Sequence, residues 1–73
     1  MARVKAIYEI FTYDYKNGEM VLNEPLRTPF ERDFKSVNAA TEFASGLHSG
    51  ASISHKRVLV RTRFRDGRSY DTV

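Results

Sequence analysis

The segment of residues 56–65, KRVLVRTRFR, constrains the fold of this chain more than any other feature. At the two-residue period of a β-strand, its side chains divide between two faces. One face is apolar or β-branched and consists of Val58, Val60, Thr62 and Phe64. The other face consists of Arg57, Leu59, Arg61, Arg63 and Arg65. A strand with this pattern packs its first face on a core, so we expect its second face to be open and cationic.

Size and composition limit the class of protein. A chain of 73 residues forms one domain, residues 1–73, which leaves little room for a deep catalytic cleft. The chain has no cysteine, which excludes disulfides and thiolate metal sites and suits a reducing compartment. The N-terminal residues lack the apolar core of a signal peptide, and no apolar run is long enough to cross a bilayer. We therefore expect a cytoplasmic protein that does not contact a membrane.

The basic charge is concentrated in the last third of the chain. Residues 1–50 contain six Lys or Arg and seven Asp or Glu, a balance of −1, whereas residues 51–73 contain six and two, a balance of +4. Arginine outnumbers lysine eight to four, which favours forked, planar contacts. This asymmetry indicates a nucleic acid or an acidic protein surface as the partner. The alternative is a solvated basic edge strand that discourages aggregation.

The first half of the chain is predicted to be β-structure. The Asn-Gly pair at residues 17–18 is the strongest short signal for a hairpin turn, because both residue types tolerate positive φ. Pro25 and Pro29 indicate an edge or a loop, since neither can donate to a β-ladder. The segments with strand character are residues 3–13, 20–23 and 30–34.

A helix and a long strand are predicted in the second half. Ser36 suits the N-cap position, and an apolar stripe at helical spacing predicts a helix over residues 37–47. We expect Gly46 or Gly50 to end this helix and residues 48–52 to form a loop. The later elements are a long strand over residues 53–65, a hairpin turn at residues 66–67 and a short closing strand over residues 68–72.

These elements predict an α+β fold: a small antiparallel sheet of three or four strands with one helix packed on one face, in the order β-β-α-β with the closing strand as the fourth. One helix covers only one face of such a sheet. The side chains expected between sheet and helix are Val4, Ala6, Tyr8, Ile10, Val58, Val60 and Phe64. The uncovered face is expected to present Arg57, Arg61, Arg63 and Arg65 beside Phe11 and Tyr13.

The residue types that usually carry catalysis do not form a recognisable site. His48 and His55 lack a cysteine or a close carboxylate pair, whereas a metal site needs three or four convergent ligands. Glu31 and Asp33 would share a strand face, but salt bridging explains them better than acid–base catalysis, which also needs a pocket. No nucleophile elbow, P-loop or dinucleotide-binding motif is present. We therefore predict a protein that is not an enzyme and has no metal, cofactor or catalytic residue.

Aromatic residues crowd the first strand at Tyr8, Phe11, Tyr13 and Tyr15. Packing is the first explanation, because strands favour aromatic residues. The second explanation is base stacking, as on RNA-recognition sheets, although the motif and the second helix of that fold are absent. Aromatic residues and arginines together are also typical of hot spots in protein interfaces.

A helix of the form F-x-S-V-x-x-A-x-x-F-A-x-x-L stands before the basic strand. The matching residues are Phe34, Ser36, Val37, Ala40, Phe43, Ala44 and Leu47, followed by residues 58–65. This pattern resembles small bacteriophage-encoded proteins that take over host machinery, in particular the inhibitors and antiterminators that bind bacterial RNA polymerase. The resemblance implies a stoichiometric binder in the host cytoplasm that inhibits initiation or promotes antitermination.

The expected function is therefore transcription regulation by binding RNA polymerase as a monomer. Arg57, Arg61, Arg63 and Arg65 would pair with acidic groups on the partner, while Leu59, Phe11 and Tyr13 would supply the buried area. Two alternatives remain: a nucleic-acid-binding module that uses the same arginine face, and a phage inhibitor of a bacterial defence complex.

Overall fold

The structure is a computed structural model that describes residues 3–73. Met1 and Ala2, which belong to the N-terminal segment that was expected not to be a signal peptide, lie outside the described residues. The described chain forms β1 (Val4–Lys16), β2 (Glu19–Pro25), β3 (Phe30–Phe34), α1 (Val37–Ser52), β4 (Val58–Phe64) and β5 (Ser69–Thr72). All strand pairs are antiparallel, and α1 packs on one face of the sheet. The predicted α+β architecture is confirmed, with five strands rather than three or four.

The long strand β1 organises the sheet. Along one edge, the first half of β1 pairs with β3 and its second half pairs with β2. Along the other edge β1 pairs with β4, which in turn pairs with β5. We call the face that contacts α1 the inner face and the opposite one the outer face. Because side chains alternate along a strand, this register decides which residues share each face.

Both predicted hairpin turns form, and each contains residues with positive φ. Asn17 and Gly18 have φ of 54° and 81°, the backbone that a two-residue turn between β1 and β2 requires. Gly67 has φ of 94° between β4 and β5. The carboxylate of Asp66 accepts hydrogen bonds from the backbone N–H and the guanidinium of Arg68, which closes the second turn.

The helix begins as predicted and ends later than predicted. The hydroxyl of Ser36 accepts a hydrogen bond from the Ala39 N–H and caps α1. The helix then continues through Gly46 and Gly50 to Ser52, so the predicted end at a glycine and the predicted loop at residues 48–52 are wrong. A glycine costs a helix interior only about 1 kcal/mol, and packing of the last turns on the core outweighs that cost.

A contact between α1 and β4 holds the end of the helix in place. The Nε2 atom of His48 lies 3.0 Å from the backbone oxygen of Val58, at hydrogen-bonding distance. His48 is therefore a helical residue that joins the helix to the sheet, rather than part of a loop. The strand predicted from residue 53 begins only at Val58, because Arg57 has a left-handed backbone with φ of 54°.

The core lies between the inner face and α1, where the sequence predicts it. Its buried residues are Ala6, Tyr8, Ile10, Ala40, Ala44, Val58, Val60 and Phe64. Three phenylalanine rings, those of Phe30, Phe34 and Phe43, surround the ring of Tyr8 with centroid separations of 5.3–6.1 Å. The short strand β3 thus contributes apolar side chains to the core, while residues 26–29 before it form a loop, as the two prolines indicated.

Candidate binding surface on the outer face

The outer face carries alternating charges in its central part. No helix of residues 3–73 covers this face, which agrees with the expectation of an open sheet. Cross-strand register places three cations and four carboxylates there, a balance of −1. They are Lys5, Arg61, Arg63, Glu9, Glu31, Asp33 and Asp71. The face is therefore mixed in charge, whereas the sequence led us to expect an excess of cations there.

The two arginines of β4 are both held by carboxylates on neighbouring strands. Arg61 donates two hydrogen bonds to Asp71 of β5, at 2.9 and 3.3 Å. These hydrogen bonds raise the pKa of the Arg61 guanidinium above its usual value. Arg63 donates to Glu9 of β1 at 3.3 Å. A partner that uses these arginines must therefore compete with a carboxylate already in place.

The other two arginines predicted for this surface, Arg57 and Arg65, lie outside β4. Arg57 precedes β4 and has a left-handed backbone, and its guanidinium lies 3.3 Å from the carboxylate of Asp14. Arg65 follows β4 and lies at the opposite end of the strand. The predicted stripe of four arginines is thus two residues long, because the strand is shorter at both ends than its alternating sequence suggests.

Two apolar residues expected to contact a partner are already buried. Leu59 is 2% exposed and Phe11 is 8% exposed, and they lie opposite each other on β4 and β1. The guanidinium of Arg61 lies 5.8 Å from the centre of the Phe11 ring. The side chains of these two residues are covered by their neighbours, so they cannot supply the contact area that the sequence predicts for them.

An exposed aromatic patch lies next to this pair, where the β1–β2 hairpin extends the sheet. Tyr13 lies opposite Leu22, and Tyr15 lies opposite Met20. Tyr15 is 57% exposed and Met20 is 41% exposed, while Tyr13 and Leu22 are partly buried. The two tyrosine rings meet edge to face at 5.8 Å. We call Tyr13, Leu22, Tyr15 and Met20 the hairpin patch.

Of the predicted partner-binding residues, Tyr13 lies in the hairpin patch, and Arg57 borders it with its guanidinium 5.9 Å from the centre of the Tyr15 ring. Sequence reasoning missed Met20 and Leu22, and it noted Tyr15 only among the aromatic residues of the first strand, without assigning it to the binding surface. The signal was present, since a two-residue turn at Asn17-Gly18 pairs residues whose numbers sum to 35. Applying that register places Met20 opposite Tyr15 and Leu22 opposite Tyr13.

Other kinds of site receive little support from residues 3–73. No group of three or more His, Cys, Asp or Glu side chains converges in a geometry that could hold a metal ion. The described part of the chain also contains no helix with the length and hydrophobicity needed to span a membrane. Comparison of the chain with protein-family models, with curated proteins and with solved structures found no match.

Proposed function

We propose that this protein is a non-enzymatic regulator that binds another protein through the hairpin patch. The observation that carries the proposal is the exposure of Tyr15 and Met20 on a sheet face that no described helix covers. Tyrosine and arginine dominate the hot spots of protein interfaces, and Arg57 lies at the edge of this patch. The patch therefore has the composition of an interface centre.

Two physical features support a protein as the partner. The patch residues stand on paired strands, so little conformational freedom is lost when a partner binds. The adjacent ion pairs Arg61–Asp71 and Arg63–Glu9 present both signs of charge. A mixed pattern complements another protein surface better than it complements a polyanion, which attracts cations alone.

The resemblance to phage-encoded regulators makes bacterial RNA polymerase the first partner to test, with modulation of transcription as the consequence of binding. A bacterial defence complex is the second protein partner. Binding of nucleic acid to the β4 arginines is disfavoured, because phosphates would have to displace Asp71 and Glu9 from Arg61 and Arg63.

The test compares purified RNA polymerase binding to the wild type and to the double variant Tyr15→Ala/Met20→Ala. Loss of a hot spot typically costs about 2 kcal/mol or more, so we expect binding to weaken by roughly 30-fold or more. Val21→Ala is the matched control, because Val21 is exposed in the same strand but pairs with Asp14 and points to the other face. Its affinity should equal that of the wild type.

Surface plasmon resonance on immobilised polymerase gives both affinities, and thermal unfolding confirms that each variant is folded. Equal weakening by Val21→Ala would show that the hairpin acts through its general shape rather than through the patch. No binding of the wild-type protein to polymerase would reject polymerase as the partner, and the same pair of variants would then be compared on a purified defence complex.

A further inference from the structure

A second cluster of charge lies at the other end of the sheet, where β1 begins and β4 ends. Four cations and one carboxylate surround an open depression of about 230 Å³, namely Arg3, Lys5, Arg65, Arg68 and Asp66. Three apolar residues, Val4, Val37 and Phe64, also line it. We call this cluster the basic end. It is separate from the hairpin patch, since Val4 and Tyr13 are nine residues apart on β1, roughly 30 Å at the rise of a strand.

The residues that line the basic end carry as much charge as the whole protein. Its four cations and one carboxylate sum to +3, and the formal net charge of the chain is also +3. The rest of the chain is therefore balanced, with eight basic and eight acidic residues out of totals of twelve and nine. The excess positive charge seen in the sequence is thus concentrated at this end, although one of its four cations, Lys5, is paired with Glu31.

Two of the four cations form no ion pair within the described part of the chain. Arg68 is held by Asp66 at 2.7 Å, and Lys5 lies 3.7 Å from Glu31. Within residues 3–73, neither Arg3 nor Arg65 has a carboxylate within 4.0 Å. Their guanidinium groups differ in this respect from those of Arg61 and Arg63, because an incoming anion does not have to displace an acidic side chain.

We propose that the basic end binds the phosphates of a nucleic-acid backbone. A guanidinium matches a phosphate with two parallel hydrogen bonds, and unpaired arginines supply that geometry without competition. The depression is open, so a nucleic-acid strand can pass across it. Because the strand carries a charge on every nucleotide, its successive phosphates contact several cations. The apolar part of the lining would contact the uncharged sugar or base between the phosphates. A negatively charged peptide is the competing ligand that the test separates.

The test measures fluorescence anisotropy of a labelled single-stranded oligonucleotide with the wild type and with Arg3→Gln/Arg65→Gln. Each phosphate contact to a single strand contributes about 0.7 to the slope of log affinity against log salt, so the variant should lose a slope of roughly 1.4. At salt near 0.1 M this corresponds to a roughly 25-fold loss of affinity. Thermal unfolding should not change, since both side chains are exposed.

Lys16→Gln/Lys56→Gln is the matched control. It also removes two positive charges, but Lys16 ends β1 and Lys56 lies just before β4, both far from the basic end. The proposal predicts near wild-type affinity and salt slope for this control. Equal losses in the two double variants would overturn it, because binding would then follow net charge alone. Displacement of the oligonucleotide by polyglutamate as efficiently as by unlabelled oligonucleotide would also overturn it, as would the absence of binding by the wild type at low salt.

Discussion

At the scale of single residues, Tyr8 links the sheet to the helix. The side chain is fully buried, and its hydroxyl donates a hydrogen bond of 2.6 Å to the backbone oxygen of Ala40 in α1. Burial raises the pKa of Tyr8 to about 12, and the positive charge of Arg32 opposes this rise in part. A group buried in its neutral form makes the stability of the fold depend on pH.

We expect the free energy of unfolding to fall as pH rises from about 10 to about 12. An unfolded tyrosine ionises near pH 10, whereas Tyr8 in the fold stays neutral to about 12, so the unfolded chain binds fewer protons in this window. The stabilisation is complete below pH 10 and is lost through the window, a change of about 3 kcal/mol. Urea unfolding of the wild type and of Tyr8→Phe at several pH values measures it. An equally steep fall in Tyr8→Phe would assign the effect to other groups.

At the scale of elements, α1 shows how packing overrides local signals. Gly46 and Gly50 both lie in helical conformation, and a Cβ atom added at either position would meet nothing within 4 Å. A glycine that is neither at a left-handed position nor in close contact only weakens its helix. The helix persists because Leu47 and Ala51 pack against the core on either side of the second glycine.

Substitution of alanine for these glycines should therefore stabilise the protein. Gly46→Ala and Gly50→Ala are each expected to raise the free energy of unfolding by roughly 0.5–1 kcal/mol, because alanine restricts the unfolded chain and favours helix. Gly18→Ala is the opposite control, since φ at Gly18 is +81° and a side chain there is strained. Denaturant unfolding gives all three values. Destabilisation by Gly46→Ala would mean that the helix ends at this glycine after all.

At the scale of the whole molecule, the two proposed surfaces occupy opposite ends of a body 46 Å long. The hairpin patch lies on the outer face at one end, and the basic end surrounds a depression at the other. Between them, carboxylates from β1 and β5 hold the two β4 arginines in ion pairs. The fold thus places the exposed aromatic residues of the hairpin patch at one end of the molecule and the cluster of cations of the basic end at the other.

We expect the two surfaces to act independently. Substitutions more than about 10 Å apart without shared partners usually have additive effects. Tyr15→Ala/Met20→Ala should therefore weaken protein binding and leave oligonucleotide affinity within about twofold of the wild type, while Arg3→Gln/Arg65→Gln does the reverse. The measurement is both binding assays on all four proteins, with the combination of the two double variants as the fourth. A loss in both assays from either double variant would show that a single surface serves both ligands.

Local patterns in the sequence were sufficient for the class of the fold and for most of its core. The Asn17-Gly18 turn, the Ser36 cap and the apolar stripe of α1 depend on chemistry within a few residues, so each formed where predicted. The end of α1 and the start of β4 were wrong, because long-range packing and the left-handed backbone of Arg57 decide them.

The sequence alone determined that arginines alternate with apolar residues in the last long strand, since that alternation is a local property of the chain. Only the tertiary structure decided which of those arginines are free. Asp71 and Glu9 lie on neighbouring strands and pair with Arg61 and Arg63. Arg65 lines one depression together with Arg3 from the distant start of the chain, and within residues 3–73 neither of the two forms an ion pair. The availability of a charge depends on its neighbours in space, and the sheet register sets those neighbours.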